Sequence, residues 1–282
     1  MSGTKASTAV KRPGIIGRSY TALILLFLYA PIFILIIFSF NSTRSRSVWT
    51  GFTLDWYRSL FFDSSIMNAF YTTIIVALLS AVIATIAGTF AAVGFFYMRR
   101  RWRTPLMHIN NIPMMNADIA TGVSLSLLFI SLGSVLKFNL GFGTLLLAHI
   151  TFNIPYVVLS IMPKLRQLDN NLVDAACDLG CTWMKAFRKV IVPEIMPGII
   201  NGLIIAFTLS IDDFVISYFT AGGNVMTLPM QIFAMTRRRI SPEINALSTI
   251  LFLTVLTLLI VINIREARQE EKQKKSASAL NR

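Results

Sequence analysis

Charge is scarce in this 282-residue sequence: Asp, Glu, Lys and Arg together make up 14% of it, against about 25% in ordinary soluble chains. Beside a hydrophobic share of 55%, that scarcity excludes a soluble domain of useful size and points to a polytopic membrane protein. Cysteine is nearly absent. Cys177 and Cys181 share one polar segment with no histidine nearby to complete a metal quartet, so they read as small packing residues, and no metal site is expected. No glycine is followed by lysine, which excludes a phosphate-cradling loop of the GxxxxGK type and assigns any ATP chemistry to another subunit. The GxGD signature of an intramembrane aspartyl protease is also missing, since Gly141, Phe142 and Gly143 are followed by Thr144. No catalytic residues are therefore expected.

What is present is long apolar sequence. Uncharged runs cover 19–43, 64–98, 119–136, 138–163, 195–211 and 244–264, most of them long enough to cross a bilayer as a helix at about 20 residues per crossing. The expected fold is all-α with six transmembrane helices, divided into a tail over 1–17, a membrane domain over 18–264 and a second tail over 265–282. The first apolar run is too long for a removable signal peptide and lacks a small-residue cleavage site, so it reads as a retained anchor. With both termini on one side, that side carries 19 basic residues and the other 7, which places both termini in the cytoplasm. The net charge of +13 then reflects topology and contact with anionic lipid headgroups. Nucleic acid is not an expected partner, because the basic residues form no aromatic-interleaved stripe.

Along the chain, the first helix is expected at Ser19 to Phe40 with a kink at Pro31. The loop from Asn41 to Ser65 carries Trp49, Trp56, Tyr57, Phe61 and Phe62 as interfacial anchors. The second helix, Met67 to Met98, is rich in alanine and glycine, which allow close helix contact in lipid. It ends in Arg99, Arg100, Arg101, Trp102 and Arg103, a topology lock. The stretch from Thr104 to Ala120, with His108, Asn110, Asn111, Asn116 and Asp118, is too polar for lipid and belongs inside the protein. His149 reads as a satisfied structural histidine. The fifth helix, expected at Ile199 to Phe219, contains Asp212 and Asp213 with no Lys or Arg in any span to neutralise them. Adjacent helical positions differ by about 100°, so one carboxylate can face a central path while the other accepts hydrogen bonds from a neighbouring helix. Asp118 adds a third, and Phe214, Tyr218 and Phe219 supply ring faces for a cation. Such a path suits a cationic solute; the competing reading is a hydrogen-bonded gate that never touches substrate. Arg237, Arg238 and Arg239 stand on the outer side, either solvated or set to hold an acidic external protein.

The most informative stretch is the polar island from Asp169 to Pro197. Leu172, Ala175, Ala176 and Leu179 recur at helical spacing, Gly180 is placed to end that helix, Thr182 to cap the next, and Pro193 and Pro197 to bend the chain back into the membrane. Asp174, Ala175, Ala176, Gly180, Val190, Val192 and Pro193 resemble the cytoplasmic loop that defines membrane permease subunits of bacterial ABC importers. There the usual first residue is glutamate rather than Asp174. The resemblance implies a type I ABC importer permease fold and a coupling hairpin over 163–197 that docks into an ATPase subunit.

The likeness runs over nearly the whole chain. YAPIFILIIFSFN, GFTLDWY, AHITFNIPYV, TLSIDDFVISYF, TLPMQIF and SPEINALST are similar to the spermidine and putrescine importer permeases, specifically the second of their two non-identical subunits. It implies a bacterial inner-membrane location, a second homologous permease, an ATPase dimer that binds ATP and Mg, an extracytoplasmic binding protein and a polyamine substrate, with no cofactor in this chain. Permeases for iron, thiamine or anions are the nearest rivals. A secondary transporter using Asp118, Asp212 or Asp213 as proton carriers is a further one.

Overall fold

The computed structural model describes residues 15–43, 48–116, 118–238 and 242–280. Six helices are long and apolar enough to cross a membrane: Gly17–Phe38, Ser64–Tyr97, Asp118–Leu136, Phe142–Gln167, Trp183–Asp212 and Pro242–Val261. We label the elements α1 (Ile15–Phe38), α2 (Asp55–Phe62), α3 (Ser64–Tyr97), α4 (Arg100–Met115), α5 (Asp118–Leu136), α6 (Phe142–Gln167), α7 (Asn170–Asp178) and α8 (Trp183–Ala186). A π-helical turn (Phe187–Ile191) follows, then α9 (Val192–Asp212), α10 (Val215–Thr220), α11 (Leu228–Arg238) and α12 (Pro242–Leu280). The expected tail over 1–17 lies, up to residue 14, outside the described residues. The expected tail from 265 is a continuation of α12 as far as Leu280.

The core is the mutual packing of α3, α6 and α9. In lipid there is no hydrophobic force between helices, so close contact has to come from small residues and shared hydrogen bonds. On α3, Ala77, Ala81, Ala84 and Ala92 are fully buried. Val157 of α6 lies between two glycines: a Cβ on Gly88 of α3 would fall 2.7 Å from its Cγ1, and one on Gly202 of α9 3.2 Å from the same atom. Farther along the same junction the Asn153 amide donates to Ser210 Oγ (2.8 Å), and Ser210 Oγ lies 3.1 Å from Ser80 Oγ. One polar contact thus ties all three helices together.

Outside this core the helices are thinly covered by the chain itself. None of the apolar window of α1 is buried, and α4 has no buried residue. The polar stretch from Thr104 to Ala120, expected to line other helices or water, is helix α4 and the start of α5, with much of its described surface open in this chain. The loop after α1 departs from expectation. Trp49, Phe61 and Phe62 are exposed, but Trp56 and Tyr57 turn inward. Trp56 Nε1 donates to the Asn41 carbonyl (2.7 Å), Tyr57 and Ser39 share a hydroxyl contact of 2.7 Å, and the Phe40 ring stacks on Phe52 and Tyr57. Asn41, fully buried, also accepts from the Thr50 amide (3.0 Å) and donates to the Val48 carbonyl (2.8 Å). The loop is thus wound around one asparagine whose side chain replaces the missing backbone partners.

Glycine at position 88 is a packing requirement, which a pair of substitutions tests. Adding a side chain against Val157 should cost about 1–3 kcal/mol. Gly88→Val should lower the thermal unfolding temperature of the detergent-solubilised protein, whereas Gly94→Ala, where a Cβ meets nothing within 4 Å, should leave it unchanged.

Candidate functional site

Two sites stand at opposite ends of one helix. At the first, α7 and α8 form a hairpin. Gly180 adopts φ +81°, the left-handed conformation that favours glycine. The Cys181 amide reaches back to the Ala176 carbonyl (3.0 Å), closing the end of α7. Val173 is buried and Ala176 packs partly against the same core cluster, so the face turned inward is Val173 and Ala176. Asp174, Ala175, Asp178 and Gly180 are exposed, and Leu179, at 87% exposure, stands free beside exposed Trp183 and Met184. Leu172 has no described side chain. Thr182 does occupy the cap position of α8, though its side chain makes no capping bond. The Trp183 ring stacks on Phe187 at 5.6 Å and Phe187 on Phe90 at 5.9 Å, while Tyr97 meets Trp183 edge-on. The hairpin is thereby held to the end of α3.

Neither proline ends the helix: Pro193 stands in the first turn of α9 and Pro197 inside it. Helix runs from Trp183 through the π turn into α9, with Pro193 at its first turn. Pro193 has no N–H to give, and its ring would collide with the carbonyl four residues back in a regular helix; the wider π turn relieves both. Val190 and Val192 are half-buried against the core, and Pro193 is exposed.

At the other end of this run the fifth helix stops at Asp212 rather than continuing to Phe219. Asp213 leaves the helix at ψ 120° and its carboxylate, with the side chain 9% exposed, starts α10 afresh. Oδ1 accepts from the Ile216 amide (3.2 Å), and Oδ2 accepts from the Ser217 amide (2.8 Å) and hydroxyl (2.9 Å). The Ser217 hydroxyl hydrogen is thus used, so the contact of 3.0 Å between Ser217 Oγ and His149 Nε2 requires the hydrogen on His149. His149, 2% exposed, also lies 3.6 Å from the Asp213 carboxylate. It is the structural histidine expected from the sequence. Its place on α6, seven residues in from Phe142, sets this cluster about 10 Å inside that end of the bundle.

Asp212 is exposed, at the C-terminal end of α9, where unpaired carbonyls concentrate negative partial charge. Phe214 and Tyr218 face each other at 5.5 Å, and Phe214 meets Phe233 of α11 at 4.5 Å. Asp118 opens α5, which packs on α10 with Gly122 against Ile216 and Phe219. Tyr156 of α6 packs its ring on buried Phe152 at 5.3 Å. Phe214 and Tyr218 are thus brought together, Asp212 stands exposed two residues before Phe214, Asp118 lies on the adjoining helix, and Asp213 is committed to its own backbone. Phe233 and Tyr156 were not singled out from sequence. The signal was their place within TLPMQIF and AHITFNIPYV. Arg237 lies with its guanidinium 4.7 Å from the Phe233 ring centroid; Arg239 lies outside the described residues.

A bundle of six membrane helices, with an exposed hairpin at one end of a continuous helix and an exposed carboxylate at the other, defines a multi-pass membrane protein. The chain belongs to the family described as the binding-protein-dependent transport system inner membrane component, which it matches over residues 84–274. It is 41% identical to the putrescine transport system permease protein PotI of Escherichia coli (strain K12), over 80% of this chain and 81% of that one. It is 40% identical to the spermidine/putrescine transport system permease protein PotC of the same organism, over 84% and 87%. Among solved structures, it is similar to a bacterial ABC transporter involved in the import of the acidic polysaccharide alginate, with a TM-score of 0.68 at 16% identity over 89% of this chain and 95% of that one. An amino acid ABC transporter with histidines gives 0.56 at 19% identity over 77% and 99%. At such identities these two likenesses establish the fold, that of a type I ABC importer permease.

The two aspartates should separate cleanly. Asp213→Ala leaves the Ile216 and Ser217 amides without their acceptor, at about 1–3 kcal/mol each for a buried group. It should lower thermal stability and speed hydrogen exchange in 215–220. Asp212→Ala should leave both unchanged.

Proposed function

We propose that this chain is one of two permease subunits of an ATP-driven importer and forms, with the second, a translocation path for polyamines such as spermidine and putrescine. A dimer of ATP-binding subunits supplies ATP and Mg on the cytoplasmic side, where both termini lie, and an extracytoplasmic binding protein delivers the substrate to the inner membrane. The observation that carries the substrate class is Asp212: an exposed carboxylate at the broken end of α9, a helix with no Lys or Arg. A negative helix end within the membrane, without a basic residue in its own helix, favours a cation over an anion. Phe214 and Tyr218 follow it with their rings in contact, and the Arg237 guanidinium over Phe233, itself packed on Phe214, is a cation already resting on the same aromatic wall. The curated relatives named for putrescine and spermidine support the same reading.

Asp118 with Asp212 would meet the ammonium groups, and Asp213 would keep the path's geometry. Asp174, Ala175, Ala176 and Gly180 would dock on the ATPase, with Val190, Val192 and Pro193 joining that hairpin to α9. Closure of the ATPase dimer would then move the hairpin, and with it the unbroken run from Trp183 to Asp212, as a rigid body of about 45 Å.

Cells expressing the complete transporter should take up labelled spermidine or putrescine with the proton gradient collapsed and ATP maintained, and should lose that uptake without this chain. Uptake that dies with the gradient would favour a secondary transporter. Asp118→Asn combined with Asp212→Asn should reduce uptake about tenfold or more while the complex still assembles. Gly180→Trp has open space around it but is strained at positive φ, and should abolish coupling between ATP hydrolysis and uptake; normal uptake in that variant would remove the docking role.

A further inference from the structure

A second cluster, unused by the path or by the docking hairpin, lies where α3 and α6 end. A cavity of about 380 Å³ is walled there by Arg100, Arg103, Thr104 and His108 of α4 and Arg166 of α6, with Met107 as an apolar side. Among the described residues the ion pair is that of His149 with Asp213, so none of these three guanidinium groups has a carboxylate within ion-pair distance. Three like charges around one cavity repel each other, and among the described residues no carboxylate pairs with them. Of the three, Arg100 and Arg166 are exposed, as Arg99 and Arg101 are. Arg103 instead is half-buried, with its guanidinium 6.0 Å from the Phe96 ring centroid and Nη2 3.8 Å from the Met162 sulfur. These contacts fix its position. The first turn of α4, whose cap residue Arg99 supplies no side-chain acceptor, adds its own positive end to the wall.

We propose that this cavity binds the phosphate group of an anionic phospholipid headgroup. Guanidinium forks match phosphate oxygens in pairs, and the Thr104 hydroxyl is a further donor. The setting favours lipid as the source: Trp102 and Tyr97, both substantially exposed beside the cavity, are residues that settle at headgroup depth. A lipid held there joins the start of α4 to the end of α6, immediately before α6 leads into α7. Membrane composition would thereby bear on the hairpin through Arg166. This inference does not depend on which solute is carried.

The purified complete transporter, delipidated in detergent, is titrated with dihexanoyl phosphatidylglycerol, dihexanoyl phosphatidylcholine and inorganic phosphate, and binding is read by native mass spectrometry. The triple variant R100Q/R103Q/R166Q keeps Arg99 and Arg101, and so the topology. Phosphatidylglycerol should bind about tenfold more tightly than phosphatidylcholine, and that preference should vanish in the triple variant. Inorganic phosphate that binds as tightly and displaces the lipid would uphold the phosphate site and make its ligand soluble. Equal binding by wild type and triple variant would overturn the proposal, as would a wild type that prefers neither anion. Should the triple variant fail to assemble, Arg103→Lys decides: it keeps the charge but loses the fork, and an unchanged affinity for phosphatidylglycerol would overturn the site.

Discussion

A carboxylate inside a bilayer has to be met by donors, and Asp213 is met by three hydrogen bonds and a histidine. Much follows from that satisfaction. Because its oxygens take the Ile216 and Ser217 amides, α9 can end at Asp212 and α10 can begin anew within the membrane, where a chain break would otherwise strand backbone groups. Because His149 of α6 holds the same serine, the break is tied to the three-helix core rather than left to swing. The neighbouring Asp212 is then presented at a helix end instead of along a helix side.

The same economy governs the opposite end of that helix. Proline in a regular helix costs a hydrogen bond and a clash, yet Pro193 interrupts nothing, because five residues of π-helix precede it. The hairpin is consequently joined to Asp212 without a hinge at Pro193, and an aromatic file of Tyr97, Trp183, Phe187 and Phe90 holds it against α3. The hold of the hairpin on α3 is a packing property. It arises from contacts between residues nearly a hundred positions apart.

The spans, the hairpin and its terminating glycine were legible because each rests on local regularities: uncharged length, helical spacing, and a glycine where the backbone turns left-handed. The boundaries that failed did so where a tertiary partner decided. The fifth helix was expected to run to Phe219 because its apolar pattern does, and it stops because a side chain outcompetes the helix for two amides. Trp56 and Tyr57 were expected at the lipid interface by their type, but buried Asn41 and Phe40 offered a hydrogen bond and a stacking surface.

By itself, then, the sequence determined the solvent, the number of crossings, the hairpin and the presence of unneutralised carboxylates in a membrane span, since composition and period depend only on the order of residues. Only the tertiary structure decided which aspartate is structural and which is open. Two adjacent aspartates are identical in sequence terms, and what distinguishes them is the direction in which His149 and Ser217 lie.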